Sequence, residues 1–412
     1  MKRYLLKRLL FIVPTLVIIS VVAFTLSKMV PQDSAMALLN AQAIEDENPD
    51  MDLYESAYLK LGLDKPNFYF SILPHNYPSN INSIIDHNSK KLLIRLLKLG
   101  VSKADATEII NSSEATALTS SDNGALRQQI SNNYKVSSFF YPCFHWHGAD
   151  NQFHNWFGNI LKGNFGESII NGRSAISEVK KALTWTFHMA VIDIIFSFCI
   201  GIFLGYLISL KPEGKKEKFI NQLLYLIYAV PTFWLATLMV IYFTTDDYGS
   251  WTNIFPSVGI DIYPEKTTVQ QVWLNIHKLF LPILISSLFS IAYLARMLRR
   301  SILDEMDAPY IMTAYSKGLE KKQVIKKHAL PNALLPVITI LAGAIPATLA
   351  SSVVIEVIFN IPGVGRLLLN SIRMADWNIV FCIILFIGLV TALSYLIADI
   401  LYAYLNPKIR FA

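Results

Sequence analysis

The chain has 412 residues, of which 53% are hydrophobic and 16% charged, with a net charge of +6. That is too apolar and too sparsely charged for an ordinary soluble protein. The apolar residues come in blocks flanked by basic ones, so the positive charge reads as membrane topology and not as a nucleic-acid surface.

Lys2, Arg3, Lys7 and Arg8 precede an apolar run over residues 9–26. The run is too long for the core of a cleavable signal peptide, and no small-x-small site follows it closely. It is predicted as a first transmembrane helix within a segment 1–30. Residues 31–182 hold no spanning segment and are rich in Asn, Ser and Asp, as a water-exposed domain is. Leu92, Leu93, Leu96 and Leu97, a break at Gly100 and the periodic stretch 104–110 predict helices within it. The stretch 139–156 contains Cys143, His145, His147 and His154, residue types that ligate metals. No zinc-type spacing appears among them, and Phe139, Phe140, Tyr141, Phe144, Trp146, Phe153 and Trp156 read as packing material.

Five further apolar runs predict helices over 183–210, 219–243, 279–298, 335–359 and 379–405. Pro231 falls inside the second of these and marks a kink. Ala347, Thr348, Ala350, Ser351 and Ser352 predict a small-residue face for close helix packing. The expected fold class is therefore an all-α polytopic membrane protein with six spans, a large domain between the first two, and a core over 183–412. Asp193, Glu356 and Asp399 fall in predicted spans. A charge at mid-membrane costs about 2.5–3.5 kcal/mol on insertion scales, so such groups mark transport pathways unless they pair or cap locally. Asp193 and Glu356 are the pathway candidates.

Basic residues orient the spans. The N-terminus and segments 211–218, 296–328 and 408–410 hold four, four, eight and two lysines and arginines; segments 244–278 and 360–378 hold two each. The richer set faces the cytoplasm, which puts both termini inside and residues 31–182 outside. The thirteen basic residues of 31–181 do not oppose this, because long domains cross largely regardless of charge.

The cytoplasmic loop 299–334 carries the most specific pattern. Asp307 is placed to cap a helix with Pro309 in its first turn, and Gly318 to end it in a left-handed conformation. A second helix is expected over 320–330, broken by Pro331. Gly318, nine residues, then His328-Ala329-Leu330-Pro331 resembles the EAA loop of bacterial importer permeases. Met312-Thr313-Ala314 stands where Glu-Ala-Ala would be, but Thr313-Ala314-Tyr315-Ser316-Lys317-Gly318 matches the form usual in the dipeptide and oligopeptide branch.

Further motifs extend the resemblance. They are Leu61-Gly62-Leu63-Asp64-Lys65-Pro66, Gly163-Asn164-Phe165-Gly166-Glu167-Ser168, Ala295-Arg296 through Ser301, Glu356 with Pro362-Gly363-Val364-Gly365, and Asp399 through Tyr402 with Asn406-Pro407. The chain thus resembles the first permease subunit of dipeptide/oligopeptide ABC importers, a family that also includes nickel importers. The resemblance implies the type I permease fold, a second permease, one or two ABC ATPase subunits, an extracytoplasmic solute-binding protein and a bacterial inner membrane. It makes Tyr310, Thr313, Ala314, Lys317, Gly318, Leu319, Leu330 and Pro331 the loop that couples to the ATPase. It leaves residues 71–150 as a probable helical insertion.

No G-x-x-x-x-G-K-[ST] occurs, so no phosphate cradle for ATP is expected here, and no G-x-S-x-G or H-E-x-x-H points to an enzyme. No cofactor is expected on this chain; ATP is used by the partners. An ion-coupled secondary transporter is the alternative, against which stand the coupling loop and the lack of internal repeats.

Overall fold

The structure, a computed structural model, describes residues 2–30, 33–41, 51–74, 77–79, 81–99, 101–111, 142–249 and 251–405. The break expected at Gly100, the aromatics Phe139 to Tyr141 and the motif beginning at Asn406 lie outside the described residues. The first helix, α1 (Lys2–Met29), contributes to both of two compact units. One comprises Met1–Ile19, Ala175–Arg373 and Ile379–Ala412; the other comprises Ser20–Ser174 and Met374–Asn378.

In the second unit, α2 (Ser34–Ala41) and α3 (Met51–Lys60) are tied at Asp33. One carboxylate oxygen accepts the Ala35 and Met36 N–H groups at 2.9 and 3.3 Å, and the other accepts the Tyr54 hydroxyl at 2.7 Å. Gly62, at φ +64°, lets the chain leave α3 and turn. Strand β1 (Phe70–Pro74) follows, then α4 (His87–Lys98) and α5 (Lys103–Asn111). Asp86 caps α4 through the Asn88 and Ser89 N–H groups. Leu92, Leu93, Leu96 and Leu97 line one face of α4 and are buried with Val101, Ala106 and Ile109, so the predicted helices form.

Strand β2 (Pro142–Trp146) returns antiparallel to β1, with Phe70 opposite Trp146 and Leu73 opposite Cys143. This two-stranded sheet corrects the all-α expectation. Its cause is the period-two spacing of large apolar residues, Phe70 and Ile72 on one strand and Phe144 and Trp146 on the other, which suits a pleated ribbon. Helix α6 (Gln152–Leu161) carries Phe153, which stacks on Phe68 at 5.0 Å and meets Phe24 edge-on at 5.4 Å.

The first unit continues with α7 (Ala175–Leu210), α8 (Lys215–Ala229) and α9 (Thr232–Phe243). The kink predicted at Pro231 is a full break: α8 and α9 meet at 92°, because Val230 and Pro231 are both extended. Helices α10 (Thr268–Leu274), α11 (Ile276–Met306), α12 (Pro309–Ser316) and α13 (Lys321–Val324) follow. A π-turn over Ile325–Ala329 leads into α14 (Leu330–Ile358), then α15 (Val364–Arg373) and α16 (Trp377–Leu405). Among the described residues five helices are long and apolar enough to cross a membrane, or six if the bent pair is one span.

Two expectations about the loop 299–334 change. Asp307 ends α11, and Ala308 is the N-cap of α12. Pro331 does not break the second helix. The Leu330 N–H reaches back to the Ile325 carbonyl, a π-type bond, and Pro331, which has no N–H to place, sits in the first turn of α14.

Helices α7 and α11 approach closely because Gly201 and Gly205 face α11. A Cβ at Gly201 would lie 2.8 Å from Leu294 Cβ, and one at Gly205 would lie 2.9 Å from the Ala295 carbonyl oxygen.

Candidate functional site

Helix α12 has an inner and an outer face. Ile311 and Ala314 are buried with Leu298, Ile302, Val324, Ile325 and Ala329 of the same chain. Ala314 therefore packs inside this chain. Met312, Thr313, Tyr315, Ser316, Lys317 and Gly318 are exposed, and Leu319 is half-buried. Gly318 has φ +79°, and nothing lies within 4 Å of where its Cβ would stand, so its conformation, not crowding, calls for glycine.

Tyr310 fastens this loop. Its hydroxyl donates to the Glu305 carboxylate at the end of α11 and accepts from Asn332 Nδ2 at 2.9 Å at the start of α14. Desolvation and then the Glu305 hydrogen bond raise the Tyr310 pKa, so the phenol stays a donor at neutral pH. Leu330 is half-buried and Pro331 exposed where α14 begins. Nearby, Arg299 on α11 pairs with Glu217 on α8 at 2.9 Å.

The three carboxylates of the predicted spans have different surroundings. Glu356, fully buried, points at the turn between α14 and α15. Its Oε2 accepts the Gly365 and Arg366 N–H groups at 2.6 and 3.1 Å, and its Oε1 accepts the Thr186 hydroxyl at 2.6 Å. It thus neutralises the N-terminal N–H groups of α15. Gly363 and Gly365 make the turn possible: a Cβ on either would overlap Glu356 or Val353. Asp399 pairs with Arg8 at 2.9 Å.

Asp193 instead lines a cavity of about 820 Å³ between α7, α9, α11 and α14. It accepts a hydrogen bond from Ser286 at 3.0 Å. Ala347 and Thr348, read in the sequence as a helix-packing face, also line this cavity. Ser197, Ser286 and Ser290 are lining residues that the sequence did not single out. Their signal was present: Asp193 and Ser197, and Ser286 and Ser290, each stand four apart and share a helix face.

In the second unit, the motif 163–168 meets the start of α16. Ser168 Oγ donates to Asp376 Oδ2 at 2.5 Å, and Asn378 Nδ2 donates to the Glu167 carbonyl at 2.8 Å. The motif 61–66 meets α6: Gln152 Nε2 donates to the Lys65 carbonyl at 2.7 Å, and Lys65 pairs with Asp150 at 2.5 Å. His147 bonds Ser71 at 2.9 Å and His154 bonds Tyr69 at 3.0 Å. Among the described residues no group of three or more His, Cys, Asp or Glu could hold a metal ion.

Residues 198–411 match the family described as binding-protein-dependent transport system inner membrane component. The chain is 33% identical over 261 residues to the oligopeptide transport system permease protein AppB of Bacillus subtilis (strain 168), covering 63% of this chain and 80% of that protein. It is 31% identical over 260 residues to the glutathione transport system permease protein GsiC of Pectobacterium atrosepticum, covering 63% and 79%. It is 28% identical over 271 residues to the di/tripeptide transport system permease protein DppB of Pseudomonas aeruginosa (strain UCBPP-PA14), covering 63% and 80%.

Proposed function

The chain belongs to the family of binding-protein-dependent transport system inner membrane components, and on that premise we propose that it is a permease subunit of a peptide ABC importer. It is a multi-pass protein of the bacterial inner membrane, with six spans of the type I importer kind and both termini in the cytoplasm. With a second permease it forms the pathway for dipeptides, oligopeptides or similar small solutes. One or two ABC ATPase subunits bind and hydrolyse ATP, and an extracytoplasmic solute-binding protein delivers the cargo.

The observation that carries this reading is the two-faced loop. Its inner face is anchored to the spans by Ile311, Ala314 and Tyr310, while Met312, Thr313, Ser316 and Lys317 stand exposed. A loop rigidly fixed on one side and open on the other can transmit a push from a docked ATPase to α11 and α14. Closure of the ATPases on ATP then rocks the spans outward-open, and hydrolysis resets them, which is alternating access. Asp193 belongs to the pathway. Glu356 acts by holding the α14–α15 turn.

Residues 71–150 form an insertion outside the membrane, contacting the delivering protein or the second permease. Its ends are clipped together by β1 and β2, so its addition need not disturb the flanking motifs. The exposed apolar side chains Phe70, Ile72, Phe144 and Trp146 on that ribbon suit such a contact.

The test is copurification. This chain, affinity-purified in mild detergent, should bring down a second permease and an ABC ATPase, and the complex should hydrolyse ATP faster with loaded binding protein. Uptake driven by a proton or sodium gradient with no ATPase bound would instead establish the ion-coupled alternative.

A further inference from the structure

The cavity between α7, α9, α11 and α14 holds polar groups that the fold leaves unanswered. Asp193 is 4% exposed, and the hydrogen bond it accepts comes from the neutral Ser286. Among the described residues no lysine, arginine or histidine forms an ion pair with it. Ser197, one turn along the same face of α7, is 1% exposed, and its hydroxyl oxygen has no hydrogen-bond partner. A buried hydroxyl left unpaired is unfavourable, and so is a carboxylate in a span without a counter-charge. Both costs fall on one side of one cavity.

The surrounding wall is mainly apolar and aromatic, with Phe198, Phe289 and Tyr293 among its residues and the hydroxyls of Thr232, Ser290 and Thr348 between them. A carboxylate and hydroxyl oxygens facing an otherwise apolar space match an organic ammonium group. The ammonium carries three donors and one positive charge and is followed by carbon. A metal ion would need several oxygen ligands and little space, whereas about 820 Å³ is the size of a site for a small organic molecule.

We propose that the Asp193 carboxylate and the Ser197 hydroxyl receive the ammonium group of the transported solute, the free amino end of a peptide, during its passage. Ser286, by donating to the carboxylate, holds it toward the cavity. The inference rests on the reading of this chain as a peptide permease, but the cavity's preference for a cation can be measured without any solute.

The experiment uses the complete transporter, with Cys143→Ser, Cys199→Ser and Cys382→Ala to remove the native thiols and Ala347→Cys as a single reporter in the cavity wall. Its labelling by aminoethyl and sulfonatoethyl methanethiosulfonate is compared with that of a free thiol. The normalised rate should favour the cationic reagent by about tenfold or more, as expected beside a carboxylate in a low-dielectric site. Asp193→Asn should remove the preference, Asp193→Glu should keep it, and Ser197→Ala should weaken it only a few-fold. A preference unchanged by Asp193→Asn, or absent throughout, overturns the proposal, as does loss of the second permease from both Asp193 variants, which would make the residue an interface group.

Uptake of a dipeptide and of its N-acetyl form, delivered by the same binding protein, gives the second measurement. The wild-type ratio should exceed the Asp193→Asn ratio by about tenfold, because the binding protein's own selectivity cancels. Equal loss of both substrates overturns the proposal. A cation preference set by Asp193, together with uptake of neither peptide by the wild type, upholds the ammonium site and removes the peptide reading of the transporter.

Discussion

The Thr186 hydroxyl stands between Glu356 and the start of α15: it donates to Glu356 Oε1 at 2.6 Å and accepts the Val364 N–H at 2.8 Å. Glu356→Ala would leave the Gly365 and Arg366 N–H groups without their acceptor and the Thr186 hydroxyl with only the Ala182 carbonyl at 3.3 Å. Buried donors lose about 1–3 kcal/mol each in that way, so a total near 3 kcal/mol or more is expected. Glu356→Gln keeps an acceptor and the shape and should cost about 1 kcal/mol. Gly363→Ala should be as damaging as Glu356→Ala, because its Cβ would overlap the carboxylate. The double variant should then lose less than the sum of the two. Thermal unfolding of the purified complex would check the order, and strict additivity would show that the two residues do not meet.

The spans were legible because apolar runs leave a signal that survives without neighbours. What depends on contacts was less so. Pro231 announced a bend, but its size of 92° follows from two successive extended residues that no hydropathy pattern records. Leu330-Pro331 reads as a stop, yet the π-turn removes the conflict by sending the Leu330 N–H to Ile325. The sheet joins residues about seventy positions apart, beyond any local periodicity. Gly201-x-x-x-Gly205 was in plain view and names the α7–α11 contact. Ala314 was legible only as a member of the loop; its burial in one cluster with Leu298 and Ile302 of its own chain depends on contacts that no local pattern records.

That last point separates two kinds of loop variant. Ala314→Glu places a carboxylate among buried apolar residues and should cost several kcal/mol through this chain's own packing. Its expected signature is a low yield of permease. Thr313→Glu stands exposed on α12 and should change the stability of this chain by no more than about 0.5 kcal/mol. It should still abolish ATPase copurification and substrate-stimulated hydrolysis. Gly318→Val should act between them: strain at φ +79° costs about 1–2 kcal/mol for an ordinary side chain and more for a β-branched one, with open space at the Cβ. Wild-type hydrolysis and copurification in Thr313→Glu would mean that the exposed face of α12 does not dock.

The orientation is open to a labelling test. Lys215, Lys321 and Asn88 are all exposed, so protein burial does not shield a cysteine at any of them. With the outer envelope made permeable, a membrane-impermeant thiol reagent should label Asn88→Cys in intact cells. Lys215→Cys and Lys321→Cys should react only after lysis. Reaction of Lys321→Cys from outside would invert the topology and detach α12 from any cytoplasmic ATPase.

The sheet register suggests how to remove the insertion. Leu73 pairs with Cys143, so replacing residues 74–142 by Asn-Gly should close β1 and β2 with a two-residue turn that matches their twist. The flanking motifs keep their own ties, the Gln152 bond to the Lys65 carbonyl and the Ser168 bond to Asp376. Tyr58 loses its bonds to the Asn82 carbonyl and to Lys90, the Lys65 carbonyl and Asn67 lose Asn82 Nδ2, and the α2–α3 cluster loses Ile85, a combined cost of roughly 2–4 kcal/mol that the remaining ties must carry. The shortened chain should therefore insert, copurify with the second permease and keep basal ATP hydrolysis within about twofold of wild type, since the cut falls at an existing strand pair within the second unit. Its apparent affinity for the loaded binding protein should fall by about tenfold or more, equivalent to roughly 1.4 kcal/mol of lost contact. Full uptake with native affinity would show that residues 74–142 take no part in delivery and would leave that contact to the ribbon side chains Phe70, Ile72, Phe144 and Trp146. Loss of the second permease from the purified complex would move their role to the contact between the two permeases.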